Sequence, residues 1–205
     1  MSTSSPPDLW LFNEVNDLAR HTGWLHAPIL GYATYGLGVF AVLLMGGWWF
    51  ARRRSPRRVA AAVWAGAATL AAVGLNQLLV AHFHEARPYT DLPGAFVLAH
   101  RTSDFSFPSD HAVMAGAAAA GLWLVSRKLG AVATAAALAL AFSRVYIGAH
   151  YPHDVAAGLL IGAAVTLLGW WVVREPLTTL VARLAATPLH PLVGRPHPAT
   201  GVPAG

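Results

Sequence analysis

The chain has 205 residues, of which 56% are hydrophobic and only 11% charged. Soluble domains carry about 25% charged residues, so an ordinary soluble enzyme is excluded and a single membrane domain is indicated. There is no cysteine, which excludes disulfides and thiolate metal sites. The net charge of +5 does not point to nucleic acid, because five of the fourteen cations form one run, Arg52, Arg53, Arg54, Arg57 and Arg58. A basic run between two apolar segments is the pattern of a cytoplasmic anchor.

In chain order, residues 1–7 are polar and expected to be a disordered tail. Segment 8–20 is amphipathic, with Leu9, Phe12, Val15, Asn16 and Ala19 near one helical face. Such a helix either lies in the membrane interface or enters it. The first apolar run lacks a basic leader, so no signal peptide is expected. Residues 25–50 carry no formal charge and end in "GGWWF", long enough to span a bilayer, which takes roughly 20 residues. Further spans are expected over 59–81, 111–126, 129–148 and 155–173, with a polar loop between the second and third. The residues from 174 to 205 are proline-rich and expected to be weakly structured.

Arginines orient these spans. The run at 52–58, the pair Arg127 and Lys128, and Arg174 all fall on one side, which the positive-inside rule makes cytoplasmic. Three polar clusters, "HEARPY", "SFPSDH" and "SRVYIGAHYPHD", then gather on the outer side. Ionisable groups at membrane depth are costly and usually functional.

Pro88 stops a helix after Arg87; alone, Arg87 reads equally well as a snorkelling residue. Pro108 marks a helix start, leaving the backbone N–H groups of Ser109, Asp110 and His111 able to face an anion. A plain N-cap by Ser109 or Asp110 also fits, but leaves His111 unexplained. His150 lies four residues before Asp154, near enough for the carboxylate to fix its tautomer, as a histidine nucleophile or base requires. His153 reads as a solvated turn residue. Two guanidinium forks, Arg87 and Arg144, suit phosphate oxygens. One histidine can attack phosphorus while the other protonates the leaving oxygen. No carboxylate cluster suited to Mg²⁺ and no HExxH pair is present, so neither metal nor cofactor is expected. These residues describe a metal-independent phosphatase at the outer face of a membrane.

The clusters resemble the type 2 phosphatidic acid phosphatase (PAP2) superfamily. Ser143, Arg144, His150 and Asp154 match its third motif at full spacing. Pro108, Ser109 and His111 match the second, with Asp110 in place of glycine. Arg87 and Pro88 match the first, but its lysine falls on Val80. "PSDH" without that lysine is similar to the undecaprenyl-diphosphate phosphatase branch of the bacitracin-resistance type, as are Asn76, Glu85 and the upstream His100. The resemblance implies an all-α bundle of five to six helices over 8–175, followed by a cytoplasmic tail over 176–205. It also implies a bacterial plasma membrane and a polyprenyl diphosphate or other lipid phosphate as substrate.

By the same resemblance His150 attacks phosphorus, Asp154 orients it, and His111 protonates the leaving group and then activates water. Arg87, Arg144, Ser109 and the amides of Asp110 and His111 hold the phosphoryl oxygens. Glu85 positions Arg87 or a second phosphate's surroundings, and His84, His100 or Arg101 stands in for the missing lysine. Alternatives with the same residues are a phosphatidylglycerophosphate or phosphatidic acid phosphatase, and a non-enzymatic lipid binder or flippase.

Overall fold

The computed structural model describes residues 5–194, and every regular element among them is helical. Helix α1 spans Pro6–His21. It begins two residues inside the expected disordered tail, because proline suits a first helical turn, where its missing N–H costs nothing. Residues 1–4 lie outside the described residues. Phe12, Asn16 and Ala19 are buried, with Leu9 and Val15 partly so. The expected apolar face of α1 therefore packs on the bundle, against α7 (Arg127–Tyr146) and α8 (Pro152–Ala185).

The first expected span is a bent pair, α2 (His26–Tyr35) and α3 (Leu37–Ala51), with 53° between them. Gly36 sits at the bend, where a Cβ would meet the Tyr32 carbonyl at 2.4 Å. The second span is α4, Pro56–Phe83, 28 residues and about 42 Å long. Ser55 caps it by accepting from the Arg58 amide. A short turn, α5 (Pro88–Asp91), follows Arg87.

The third, α6 (Asp110–Val125), has only 16 residues, about 24 Å, against a hydrocarbon core of about 30 Å. It is the centre of the bundle, packed on α3, α4, α7 and α8; of the five expected spans, three helices, or four with the bent pair counted as one, are long and apolar enough to cross a membrane among the described residues, and α6 is not among them. Its alanines and glycines let neighbours approach closely. At the crossing with α8, a Cβ on Gly162 would lie 2.1 Å from the Val113 carbonyl, and one on Gly116 would lie 2.3 Å from that of Leu159. Large apolar side chains instead cover the outside of α4 and α8, among them Leu70, Leu78, Leu160, Leu168 and Trp171.

The fifth span ends later than expected. Helix α8 runs 34 residues to Ala185, through Pro176, whereas the sequence suggested an end near 173 and little structure beyond. Val181 packs with Val59, Ala60 and Trp170, and Leu177 lies against the same cluster. This apolar seam outweighs the local effect of the proline. A final turn, α9 (His190–Val193), returns to α3, where Trp48 Nε1 donates to the Leu192 carbonyl (3.2 Å). Residues 195–205 lie outside the described residues.

Helix directions now separate the two ends of the bundle. Arg52–Arg58 and Arg127–Lys128 mark one end, where α3 passes to α4 and α6 to α7. The other end holds the C-termini of α4 and α7, the N-termini of α6 and α8, and the loop between α5 and α6.

Candidate active site

His150 lies in the link between α7 and α8 and is 2% exposed. Gly148 makes that link possible, since its φ of 74° belongs to the left-handed region. Asp154, in the first turn of α8, is fully buried. Its Oδ2 faces His150 Nδ1 at 3.3 Å, accepts from the Tyr151 amide (2.9 Å) and accepts from Ser106 Oγ (2.5 Å). With Nδ1 carrying the proton toward Asp154, His150 Nε2 keeps a lone pair. Burial, against the pull of the Asp154 carboxylate and with the help of the Arg144 and Arg87 charges, pushes the imidazole down to about 4. His150 is thus neutral at pH 7, as a nucleophile must be.

Arg87 approaches that lone pair. Its Nη1 donates to His150 Nε2 (3.1 Å) and to the Ala149 carbonyl (3.0 Å). Its Nη2 is held by Asp104 Oδ2 at 2.8 Å, and its Nε donates to the Asp104 carbonyl (3.2 Å). Partial burial raises the Asp104 carboxyl, but the Thr102 hydroxyl and the Arg87 charge outweigh it and hold the group below the ordinary carboxylate value. Arg144, from the last turn of α7, donates through Nη1 to the Ala33 carbonyl (3.3 Å). Its Nε is buried without a hydrogen-bond partner among the described residues. Both arginines, His111 and His150 line one cavity of about 370 Å³. The arrangement gives an anion two guanidinium groups, a neutral imidazole and a second histidine.

The remaining expected residues divide clearly. Ser109 is the N-cap position of α6 and fully buried, and its Oγ has no hydrogen-bond partner among the described residues; contrary to expectation it does not line the cavity, and its backbone N–H is not open to an anion because it donates to the Asp154 carbonyl (3.2 Å). Asp110 lines the cavity, but its carboxylate faces α4: Oδ1 accepts from Asn76 (2.7 Å) and Gln77 (2.9 Å). Asn76 also donates to the Pro108 carbonyl (3.1 Å), tying the start of α6 to α4. Val80, where the family has lysine, does line the cavity, and so does His100. His84 is exposed and sits edge-on to Phe105, and Arg101 lies over the Tyr89 ring; neither lines it. Ser143 is buried and donates to the Leu140 carbonyl within its own helix (2.7 Å). Glu85 contacts His153, at 3.2 Å, rather than reaching Arg87.

His153 departs from the solvated turn residue that the sequence suggested. It is enclosed by Asp8, Glu85 and Asp154. The last two carboxylates and the imidazole could together hold a divalent cation. Asp104, Ser106, Thr102 and Asp8 also escaped sequence reasoning. Ser106 and Asp104 sit within two and four residues of Pro108, so proximity to the second cluster was their only signal. Asp8 carried none.

The chain has relatives in sequence and in fold. The model of the PAP2 superfamily matches residues 61–178, more than half of the chain. Undecaprenyl-diphosphatase BcrC of Bacillus subtilis is 27% identical over 188 residues, covering 91% of this chain and 95% of the relative. Decaprenylphosphoryl-5-phosphoribose phosphatase of Mycobacterium tuberculosis is 36% identical over 111 residues, 54% of this chain and 60% of the relative. Among solved structures, a transmembrane PAP2-type phosphatidylglycerolphosphate phosphatase from Bacillus subtilis superposes with a TM-score of 0.59 at 21% identity. It covers 83% of this chain and 88% of that one. An apolar helical bundle with two arginines and two histidines around one cavity, matched over this length, belongs to the PAP2 superfamily of membrane lipid phosphatases.

Proposed function

We propose that the protein hydrolyses undecaprenyl diphosphate to undecaprenyl phosphate and inorganic phosphate at the outer face of a bacterial plasma membrane, so returning a lipid carrier to cell-wall synthesis. The observation that carries the choice of substrate is the interlock of Asp110 with Asn76 and Gln77. It joins Asp110 and Asn76, on which the resemblance to the undecaprenyl-diphosphate branch rests, and a relative covered over 95% of its length is an undecaprenyl-diphosphatase. An aspartate fixed beside the cavity in place of glycine, with valine at the lysine position, alters the charge offered to the substrate beyond its reacting phosphoryl group.

In the proposed mechanism Arg87 and Arg144 hold the terminal phosphoryl oxygens. The lone pair of His150 Nε2 forms a bond to phosphorus, and the bridging P–O bond breaks. His111 gives its proton to the departing undecaprenyl phosphate oxygen. His111 then takes a proton from water, whose oxygen attacks phosphorus; the N–P bond breaks and inorganic phosphate leaves. Asp154 holds His150 in the required tautomer and balances its charge while it carries the phosphoryl group. Catalysis is positioning and charge stabilisation, the demands of phosphoryl transfer.

The test is phosphate release by purified protein from undecaprenyl diphosphate, phosphatidylglycerophosphate and phosphatidic acid, side by side. The diphosphate is expected to turn over at least tenfold faster in kcat/KM. Preference for either monophosphate would transfer the reading to that lipid. Lipid translocation without phosphate release would favour the flippase alternative.

A further inference from the structure

His153 is surrounded by three carboxylates from three parts of the chain. Nδ1 lies 2.8 Å from Asp8 Oδ2 in α1, and Nε2 lies 3.2 Å from Glu85 and 3.1 Å from Asp154 Oδ1. The three carboxylate side chains are only 8%, 11% and 0% exposed. Buried carboxylates without a cation are strongly unfavourable. Both ring nitrogens face carboxylate oxygens, and a neutral imidazole would turn a lone pair toward one of them. Phe107 and Tyr151 stack on the ring at 5.4 Å and 5.8 Å, which suits a cation. Asp8 also accepts from the His153 amide (2.8 Å), one of the otherwise open N–H groups at the start of α8.

We infer that His153 is a positioning residue: as an imidazolium hydrogen-bonded to Asp8 and Glu85, it sets its charge 3.1 Å from Asp154 Oδ1, an oxygen with no hydrogen-bond partner among the described residues, so that Oδ2 stays turned toward His150, and Asp8 ties this charge to the N-terminal helix. The inference rests on the proposed role of His150 as nucleophile. It assigns α1 a part in catalysis although α1 supplies nothing to the cavity. Removing an outer partner of a metal-bound histidine or carboxylate costs about 10–100-fold, and the loss expected for a partner of Asp154 is set on the same scale.

The experiment measures kcat and KM on undecaprenyl diphosphate for His150→Ala, His153→Gln, Asp8→Asn and the His153→Gln/Asp8→Asn double variant. Asp8→Asn keeps an oxygen for the His153 amide and loses only charge, so it guards against a simple folding failure. His153→Gln is expected to lower kcat by roughly 10–100-fold with KM within about twofold, and Asp8→Asn to lower kcat by a smaller factor. The double variant should be no worse than His153→Gln alone, since coupled residues are not additive. Full kcat in His153→Gln, or additive losses, would overturn the inference while leaving His150 untouched. So would wild-type activity that a chelator abolishes and a divalent cation restores, because the cluster would then hold a metal rather than a proton. An active His150→Ala variant would instead remove the reading on which the inference rests.

Discussion

At the scale of single residues, the site is held in a form that an anion must compete to enter. Asp104 occupies one guanidinium nitrogen of Arg87, where a phosphoryl oxygen would bind. The Asp104→Asn variant removes the competing charge, and its KM for the lipid diphosphate should fall about 3–10-fold, because a pair whose carboxylate is open to solvent is worth about 1 kcal/mol. A raised KM would show instead that Asp104 orients Arg87. Arg144→Lys should cost more than 100-fold in kcat/KM, since an ammonium cannot reproduce the planar fork. Unchanged turnover would remove Arg144 from the phosphate clamp.

The pH dependence follows from His150. Its folded value lies near 4, below the ordinary 6.5, so the neutral form persists as pH falls through 6.5 and is lost only near 4. The acid limb of kcat/KM due to the nucleophile should therefore lie near pH 4. A limb at 6.5 assigned to His150 would mean that the imidazole is far more hydrated than its burial indicates.

At the scale of elements, the precision of the site depends on how closely α6 and α8 cross. Ser109 and His111 ride on α6, and Asp154 on α8. Gly162 and Gly116 permit the contact, and no flexible side chain at that crossing can yield. Gly162→Val should lower the melting temperature in detergent, with overpacking costing about 1–3 kcal/mol, and should reduce kcat as the two helix starts separate. A variant with wild-type melting and turnover would show that the crossing tolerates a wider gap.

Most of these elements were legible in the sequence. Uncharged runs marked the apolar helices, and Pro108 marked the start of α6 to within two residues. The bend at Gly36 was not legible, because residues 25–50 read as one unbroken apolar run. Nor was the extension of α8 past Pro176, which is decided by packing of Leu177 and Val181 on distant residues. In the site, motif spacing brought out Arg87, His111, Arg144, His150 and Asp154, drawn from helix ends and the links beside them. The partners of Asp110, and the enclosure of His153 by Asp8 and Glu85, depend on contacts across 33 or more residues. Local pattern cannot encode such contacts, and His153 accordingly looked like a surface residue.

At the scale of the whole molecule, the basic end and the catalytic end are opposed, so orientation in the membrane decides which leaflet supplies substrate. The chain has no cysteine, so a single one introduced at Gly94, in the loop after α5, reports directly. A membrane-impermeant maleimide should label it in intact cells, and labelling only after permeabilisation would reverse the topology. The central claim is that a lipid diphosphate transfers its terminal phosphoryl group to His150. Its most direct measurement is rapid quenching of wild-type protein with undecaprenyl diphosphate radiolabelled in that phosphate. The expected result is protein-bound label, stable to alkali and labile to acid, that maps to His150 and disappears with turnover in His150→Ala. Turnover without protein-bound label, persisting in His150→Ala, would contradict it.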